Sequence, residues 1–434
     1  MTVHNMPKTN WDMNNVLPED QAVHDWYRFV LSFPPHLVKQ YAYRFDVPAG
    51  GVVLDPFCGT GTTLVECKKQ GINCVGIEPN PMAHFASRVK LDWRPDPDRL
   101  LARAEEVAAA AHAVLDRDGV EDIPLLRLAE DHEHLLSLPP ESQKLLLRDS
   151  ISPLPLHKVL RLLQVLSASP DDDCGDHLRL ALAKVLPTAV GNLRFGPEVG
   201  VGKVKTDAPV VDLWLRQVRA MAGDLRAVKR GSTVEAHVHQ ADARSLSGLV
   251  EPGSIDAVIT SPPYPNEKDY TRIMRLESVL LGFLSDRAQL RHLKGSLLRS
   301  NTRNVYKHDD DDDWLTPNSE VARVANQIEE RRLELGKTSG FERMYARVTR
   351  LYFGGMARHF ADLRHLLRPG AQLAYVVGDQ ASFFRIMIRT GELLGHIAAD
   401  LGYQVEGTDL FRTRAATATR EQLREEVLLL RWPG

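Results

Sequence analysis

Four consecutive residues have the types and spacing best suited to chemistry in this sequence, namely Ser261, Pro262, Pro263 and Tyr264. They follow the short apolar run DAVIT, and a proline pair should end that strand because proline has no N–H for the sheet ladder. The serine hydroxyl and the Pro262 carbonyl are then rigidly held hydrogen-bond acceptors, and the tyrosine offers a flat face for stacking. Open α/β sheets place their ligands at this carboxyl edge of the strands. Taken alone, however, the four residues could equally be a stiff turn with a half-buried tyrosine.

A glycine-containing loop after the apolar run VVL is the second candidate site. Its residues are Asp55, Pro56, Phe57, Cys58, Gly59, Thr60, Gly61, Thr62 and Thr63. Glycines let a ligand approach the backbone closely, and the helix that should begin here offers free N–H groups. The next apolar run ends in Glu78, where a carboxylate can accept hydrogen bonds from both hydroxyls of a ribose.

Three ligands could explain this loop. A phosphate-binding P-loop needs a Lys-Ser/Thr pair, which is missing, and a dinucleotide loop has a third glycine where Leu64 stands. S-adenosyl-L-methionine carries a nucleoside without phosphate and fits the glycines and the acid. A structural strand–helix turn is the alternative. Asp242 ends the later run VEAHVHQADA, where it could accept the amine of an adenine or be a surface aspartate.

Two regions that alternate strands with helices should position these residues. The first runs from GVVLDPFCGTGTT to the helix MAHFASRVK, and the second contains VEAHVHQADA, IDAVITSPPY and LRPGAQLAYVVGDQ. Two further strand-like runs, GYQVEGTDLFRTR and EEVLLLRWPG, predict an antiparallel pair at one edge. Between the two regions the residues Leu, Ala, Arg and Glu recur at helical spacing.

Composition is that of an ordinary globular protein, with 43% hydrophobic residues, 26% charged residues and a net charge of −3. Binding to nucleic acid would therefore have to rest on local basic patches. Four cysteines without a CxxC pair fit a reducing cytoplasm and argue against a zinc ribbon. We see neither a secretion signal nor an apolar run long enough to span a membrane.

The motifs DPFCGTGTT, VGIEPNP, QADA and TSPPY together resemble the amino-group DNA methyltransferases, which methylate N4 of cytosine or N6 of adenine. The resemblance covers residues 24–94, 234–284 and 345–434. It implies a class I methyltransferase fold, an α/β Rossmann-like and mostly parallel seven-strand sheet with a large helical insertion. It also implies S-adenosyl-L-methionine as cofactor, held by Asp55–Thr63, Glu78 and Asp242. The upstream segment WYRFVLSFPPHLVKQY is similar to the family segment near the cofactor's methionine end, which points to Phe33 and Pro34.

The resemblance also implies the reaction. Ser261 and the Pro262 carbonyl would hold the exocyclic amine of a target base, and Tyr264 would stack on the base after it is flipped out of double-stranded DNA. Serine at the first position favours N4 of cytosine over N6 of adenine. A C5-cytosine enzyme would need a Pro-Cys pair, which the sequence lacks. An RNA methyltransferase and a catalytically silent binding subunit are the rival functions. By resemblance, the setting would be prokaryotic restriction–modification or phage defence, with a cognate endonuclease and activity at the nucleoid.

A basic run from Lys268 to Lys307 directly follows the tyrosine and suggests contacts with DNA phosphates. We single out Lys268, Arg272, Arg275, Arg299 and Arg303. Five aspartates at 309–313 follow, and because consecutive residues cannot all face one ion, we expect a mobile solvated loop and no metal. The stretch 192–205 could be a DNA-contacting loop or a linker.

These patterns predict five segments along the chain. The cofactor-binding half should span 1–94, a helical insertion that could contact DNA 95–231, and the catalytic half 232–284. A basic and polar insertion at 285–344 is the candidate for target recognition, and 345–434 should complete the catalytic sheet.

Overall fold

Seven strands of this chain form one mixed sheet in the computed structural model, which describes residues 16–28, 32–123, 134–168, 173–196, 198–228, 234–266, 268–316, 319–415 and 422–434. With two further strands outside this sheet, the described residues contain nine strands: β1 (Val52–Asp55), β2 (Asn73–Ile77), β3 (Leu193–Phe195), β4 (Val199–Val201), β5 (Ala236–His239), β6 (Ile255–Thr260), β7 (Leu367–Gly378), β8 (Gln404–Ala415) and β9 (Gln422–Arg431). The sheet order is β5-β2-β1-β6-β7-β9-β8, while β3 and β4 form a separate hairpin.

Strands β5, β2, β1, β6 and β7 are parallel, and β9 is antiparallel to both β7 and β8. The predicted antiparallel pair at the edge is therefore confirmed, with β9 placed between β7 and β8. Strand order reverses between β1 and β6, and the crevice at such a switch point is where open α/β sheets bind ligands. The glycine loop leaves β1 and the SPPY segment leaves β6, so the topology brings both motifs to that crevice.

Helices cover both faces of the sheet. They are α1 (Gln21–His24), α2 (Pro35–Arg44), α3 (Thr62–Gln70), α4 (Pro81–Leu91), α5 (Pro97–Arg117), α6 (Pro140–Gln143), α7 (Pro153–Ala168), α8 (Gly175–Val185), α9 (Val210–Ala227), α10 (Tyr270–Ile273), α11 (Arg275–Leu280), α12 (Arg287–Gly295), α13 (Glu320–Glu334), α14 (Tyr345–Leu363) and α15 (Thr390–Asp400). Among the described residues, no helix has the length and apolar character needed to cross a membrane.

Alternate residues of β6 point to opposite faces of the sheet, and each face has its own hydrophobic core. Ala257 and Ile259 face a core built with α2–α5 and α7–α9, and Val258 faces a second core built with α13–α15. Helices α5 and α7–α9, which lie in the segment 95–231, contribute to the first core instead of forming a core of their own. Asp224 of α9, for example, accepts hydrogen bonds at 2.8 Å from the Val23 N–H and the Trp26 indole.

Candidate functional site at the carboxyl edge of the sheet

Three hydrogen bonds to the protein interior hold the glycine loop and leave its cavity side uncovered. The Cys58 N–H donates to the Ile77 carbonyl at 3.1 Å, the Ser87 hydroxyl to the Gly59 carbonyl at 2.6 Å, and the Lys90 ammonium to the Thr60 carbonyl at 2.7 Å. Gly59 has a φ of 51°, and a Cβ built there would have no heavy atom within 4 Å. The loop therefore presents bare backbone to a ligand, as the sequence predicts.

Two buried acids flank this loop and do different work. Glu78 accepts the Gly59 N–H at 3.0 Å and the Asn80 N–H at 2.7 Å, and burial raises its pKa to about 7. Asp55 is fully buried, and its Oδ1 accepts from the Phe57 N–H and the Thr260 hydroxyl. Burial also raises the pKa of Asp55, to about 6. Glu78 lies on the wall of a cavity, where it can accept hydrogen bonds from a ribose, whereas Asp55 stabilises the loop from the protein interior.

Asp242 lies across the cavity from the loop and is engaged in an ion-pair chain. Its carboxylate receives the Arg244 guanidinium at 2.6 Å, and that guanidinium also pairs with buried Asp311. The side chain of Asp242 keeps 26% of its surface exposed, against 3% for Asp311. Both carboxylate oxygens of Asp242 accept hydrogen bonds from Arg244, so the side chain is held in one orientation on the cavity wall, where its exposed part is the candidate acceptor for an adenine amine.

The SPPY segment lies beside β7. The Ser261 hydroxyl donates to the Val376 carbonyl at 3.1 Å, and the Tyr264 N–H donates to the Tyr270 hydroxyl at 3.3 Å. Because the Ser261 proton is committed to β7, its oxygen can act toward a ligand only as an acceptor. Burial, and next to it the charge of Glu425, raises the pKa of Tyr264, so the phenol stays neutral and offers a face for stacking rather than a base.

One continuous cavity of about 620 Å³ joins these parts. The predicted residues on its wall are Phe33, Phe57, Cys58, Gly59, Thr62, Glu78, Asp242, Ser261, Pro262, Pro263 and Tyr264. The other predicted cofactor residues lie behind the wall, where they shape the loop or begin the neighbouring helices: Pro34, Asp55, Pro56, Thr60, Gly61 and Thr63. A volume in the range of small-molecule sites lets one cavity hold a nucleoside-bearing cofactor next to a base.

Sequence reasoning missed a third group of wall residues that comes from later elements. These residues are Tyr270, Gln380, Ser382, Phe411, Arg412, Arg414 and Glu425, together with Ser296–Leu298, Ser300 and Asn304. Glu425 accepts from Arg412 at 2.6 Å and from Arg414 at 3.2 Å, so charge on this side is balanced within the wall. The sequence offered a signal only for Gln380, which directly follows a predicted strand and should therefore lie at the edge of the sheet where ligands bind.

The basic run is only in part available to DNA. Arg299 is 3% exposed and pairs with Asp309 at 2.8 Å, while Arg275 is spent on Thr271 and the Leu145 carbonyl. These two arginines stabilise the fold, and their expected role as phosphate contacts is wrong. Lys268 is half-buried on the cavity wall, Arg272 is 30% exposed, and Arg303 is exposed, so these three keep a charge near the opening.

The aspartate run corrects a second expectation. Asp311 is buried between Arg244 and Arg358, and its backbone lies so close to Gly354 of α14 that a Cβ there would be 1.9 Å from the Asp311 carbonyl oxygen. Residues Asp311–Trp314 form a 3-10 helix. The run is therefore an anchored structural element instead of a mobile solvated loop, because two of its carboxylates, those of Asp309 and Asp311, neutralise buried arginines.

The residues present fit S-adenosyl-L-methionine well. Bare backbone at Gly59, a buried carboxylate at Glu78 with an unfilled side toward the cavity, and an oriented carboxylate at Asp242 match the cofactor's backbone-contacting, ribose and adenine parts. Phe33 lies on the wall where the methionine end is expected. Fold and site together define a class I S-adenosyl-L-methionine-dependent methyltransferase.

Comparison with known proteins shows which proteins the chain is similar to. Residues 4–86 match the family model described as DNA methylase. The chain is 26% identical over 423 residues to Type II methyltransferase M.BsoBI of Geobacillus stearothermophilus, covering 89% of this chain and 79% of that one. It is 25% identical over 399 residues to Type II methyltransferase M.AvaI of Nostoc sp., covering 88% and 79%. The chain is thus similar to the amino-group DNA methyltransferases, which supports the resemblance seen in the sequence, and the expected fold and cofactor are confirmed.

Two further matches are more limited. Type II methyltransferase M.MjaII of Methanocaldococcus jannaschii is 38% identical over 89 residues, which is 19% of this chain and 16% of that one. A solved structure of an S-adenosyl-L-methionine-dependent methyltransferase from Methanosarcina mazei aligns with 90% of this chain and 96% of that chain, at 10% identity and a TM-score of 0.28.

Proposed function

We propose that this DNA methyltransferase acts at specific sites and transfers the methyl group to the N4 amine of cytosine, with the target base flipped out of the duplex. The observation that carries the proposal is the Ser261 hydroxyl, which donates its proton in a hydrogen bond to the Val376 carbonyl and belongs to a residue of the cavity wall, so that its oxygen is left as an acceptor. An amide-like amine of cytosine is a poor nucleophile because its lone pair is delocalised into the ring. Two fixed acceptors on its N–H groups would favour the pyramidal nitrogen of the transition state.

The chain's own residues would divide the work as follows. Ser261 Oγ and the Pro262 carbonyl oxygen hold the two amine N–H groups, and Tyr264 stacks on the ring of the base. Pro262 and Pro263 keep these acceptors rigid. When bound, S-adenosyl-L-methionine supplies an electrophilic methyl group, whose transfer leaves the bonding electron pair on sulfur and releases one amine proton to water. Since the phenol of Tyr264 is neutral, no side-chain base is invoked for that proton.

We further propose that two insertions frame the DNA at the mouth of the cavity. The β3–β4 hairpin of the segment 192–205 reaches the wall with Glu198, whose carboxylate is 3.9 Å from Arg272 and acts electrostatically on Lys268. Arg194 on the same hairpin is exposed. A two-stranded ribbon fits the DNA major groove, where arginine and glutamate side chains can read base edges. The segment 285–344 contributes Ser296–Leu298, Ser300 and Asn304 to the cavity wall.

The test is methyl transfer from labelled cofactor to duplex DNA, followed by mass spectrometry of the nucleosides. Detection of N4-methylcytosine would support the proposal. Detection of N6-methyladenine would show that the target base is adenine, with the same role for Ser261 in holding the amine. Transfer to RNA alone would refute a DNA substrate for this cavity. Arg194→Ala should broaden the set of methylated sequences, whereas Arg216→Ala, at an exposed position of α9, should not change it.

A biological setting follows from the kind of relative. The two relatives that match most of this chain are Type II methyltransferases, and we therefore propose a restriction–modification or phage-defence role, with a cognate endonuclease and action on cytoplasmic, nucleoid DNA. DNA methylated by the protein should resist an endonuclease that cuts the same sequence and remain cleavable after incubation with the Ser261→Ala variant. Cleavage of fully methylated DNA by every such nuclease would contradict the protective role.

A further inference from the structure

Gln380 is a buried residue on the cavity wall, and its amide nitrogen has no hydrogen-bond partner among the described residues. It is 4% exposed, and its Oε1 accepts the Ser382 hydroxyl at 3.5 Å, which turns Nε2 the other way. Its backbone is fixed, because Gln380 and Ile388 exchange two N–H to carbonyl bonds, at 3.0 and 2.7 Å. A buried donor left without an acceptor is costly, so an acceptor on a ligand is expected opposite it.

The position of Gln380 relative to the SPPY segment follows from β7. The Val376 carbonyl accepts the Ser261 hydroxyl, and the Tyr264 ring lies against Gly378, with a Cβ built there 2.8 Å from the ring. In an extended chain every second side chain points to the same face of the sheet. Gln380 therefore lies on the same face as Val376 and Gly378, about 7 Å beyond Gly378. Val376, Tyr264 and Gln380 all lie on the wall of the same cavity.

This row matches the shape of an aminated base. In cytosine and in adenine, the ring atom next to the exocyclic amine carbon is a nitrogen acceptor. With the amine at Ser261 and the ring on Tyr264, that acceptor edge runs along β7 toward Gln380. The arginines on this side, Arg412 and Arg414, are bonded to Glu425, whereas the Gln380 amide nitrogen is neutral and uncommitted.

We propose that Gln380 Nε2 donates a hydrogen bond to the ring nitrogen beside the reacting amine of the flipped base. The inference rests on the proposed function and adds to it a specificity-determining contact. Such a donor accepts cytosine at N3 or adenine at N1 and rejects thymine and guanine, which carry an N–H at the corresponding ring position. Gln380 thus selects for aminated bases before the methyl group is transferred.

The experiment changes the protein residue and the base separately and together, in the manner of a double-mutant cycle. Single-turnover methyl transfer is measured on duplexes carrying either the methylated base or its deaza analogue, 3-deazacytosine for cytosine or 1-deazaadenine for adenine. The analogue replaces the ring nitrogen by C–H. Wild type should prefer the natural base, and Gln380→Leu should lose about tenfold on the natural base while its preference shrinks by about the same factor. Intrinsic differences in reactivity between the two bases cancel in the ratio.

Controls separate the contact from a structural effect. Gln372→Leu removes a glutamine on the same strand whose Nε2 donates to the Phe45 carbonyl at 3.3 Å, and it should keep the wild-type preference. Gln380→Glu keeps the size of the side chain but offers acceptors only, so at pH 8 it should lose at least as much as Gln380→Leu. This second variant carries the test if Gln380→Leu fails to fold.

The outcomes distinguish the two levels of the argument. Transfer by wild type to neither base would overturn the proposed function itself. Transfer to one base with a preference over its deaza analogue that is unchanged in both Gln380 variants would overturn this inference alone. A preference abolished in the Gln380 variants and kept in Gln372→Leu would establish the contact.

Discussion

Gly378→Ala is expected to impair methyl transfer by displacing the tyrosine that stacks on the base. A Cβ built at position 378 lies 2.8 Å from Cε2 and 3.2 Å from Cδ2 of Tyr264, and 3.3 Å from Cγ of Glu425. Carbon atoms at rest are about 3.5–4.0 Å apart, so the ring must move by about 1 Å or the strand must give. At this position β7 is paired with β9, where Gly378 lies opposite Glu425, and its pairing with β6 ends three residues earlier, at Tyr375. The ring is therefore the part that moves.

The magnitude follows from this displacement. A misplacement of about 1 Å in a catalytic arrangement costs on the order of 100-fold in rate, and overpacking of a core costs about 1–3 kcal/mol in stability. We expect the rate constant of single-turnover methyl transfer to fall by roughly 10- to 100-fold. The cofactor parts of the cavity lie near β1 and β2, so the dissociation constant of S-adenosyl-L-methionine by calorimetry should change little.

Gly395→Ala is the matched control. Gly395 is also buried beside the sheet, but a Cβ there meets Leu428 at 3.6 Å, an ordinary contact, and so the rate should stay near that of wild type. Thermal unfolding of both variants separates loss of fold from loss of rate. If Gly378→Ala transfers methyl groups at the wild-type rate, the position of the Tyr264 ring does not limit the reaction, and the stacking argument fails.

Three further outcomes test the cofactor side and the stacking face. Tyr264→Ala should cut methyl transfer severely yet leave cofactor affinity nearly unchanged by calorimetry, and loss of cofactor binding would count against the stacking role. Burial raises the pKa of Glu78 to about 7, and ribose hydroxyl donors favour the ionised form, so cofactor affinity should rise with pH up to about 7 and then level off. Glu78→Gln should bind more weakly and without this pH dependence, and an unchanged titration curve would refute the assignment. Lys90→Met removes the ammonium that donates to Thr60, so cofactor affinity should fall about tenfold. Lys158→Met removes another buried lysine, far from the loop, and should lower the unfolding temperature with little change in cofactor affinity.

The sheet could be predicted because its strands carry local signals. The apolar run before DPFCGTGTT ends at Asp55, where β1 ends, and the proline pair closes β6 at Thr260. A mostly parallel sheet of seven strands is implied by the family resemblance, and the structure confirms it. The β3–β4 hairpin was not predicted, because its strands are three residues long and flanked by glycines, a pattern that also fits a linker.

The site was predicted where one segment supplies both the chemistry and the position. Ser261–Tyr264 and Gly59 reach the cavity directly from the strands that precede them. Gln380 and Glu425 could not be found in this way, because they meet Tyr264 only through the pairing of β7 with β6 and β9. A residue that becomes functional through long-range strand pairing leaves no local pattern in the sequence.

Charge was the feature that the sequence represented least well, and the reason is physical. Arg299 and Arg244 lie in buried positions, where an uncompensated charge would cost several kcal/mol, and the aspartates that neutralise them are 10 and 67 residues away. Read separately, the arginines looked like a DNA surface and the aspartates like a solvated loop. Read together, they are one network that fixes the segment 295–311 against α14 and, through Arg244, holds the carboxylate of Asp242 at the cofactor cavity. Because the same segment supplies Ser296–Leu298, Ser300 and Asn304 to the wall, the ion pairs join the insertion proposed to frame the DNA to the side of the cavity that would receive the adenine.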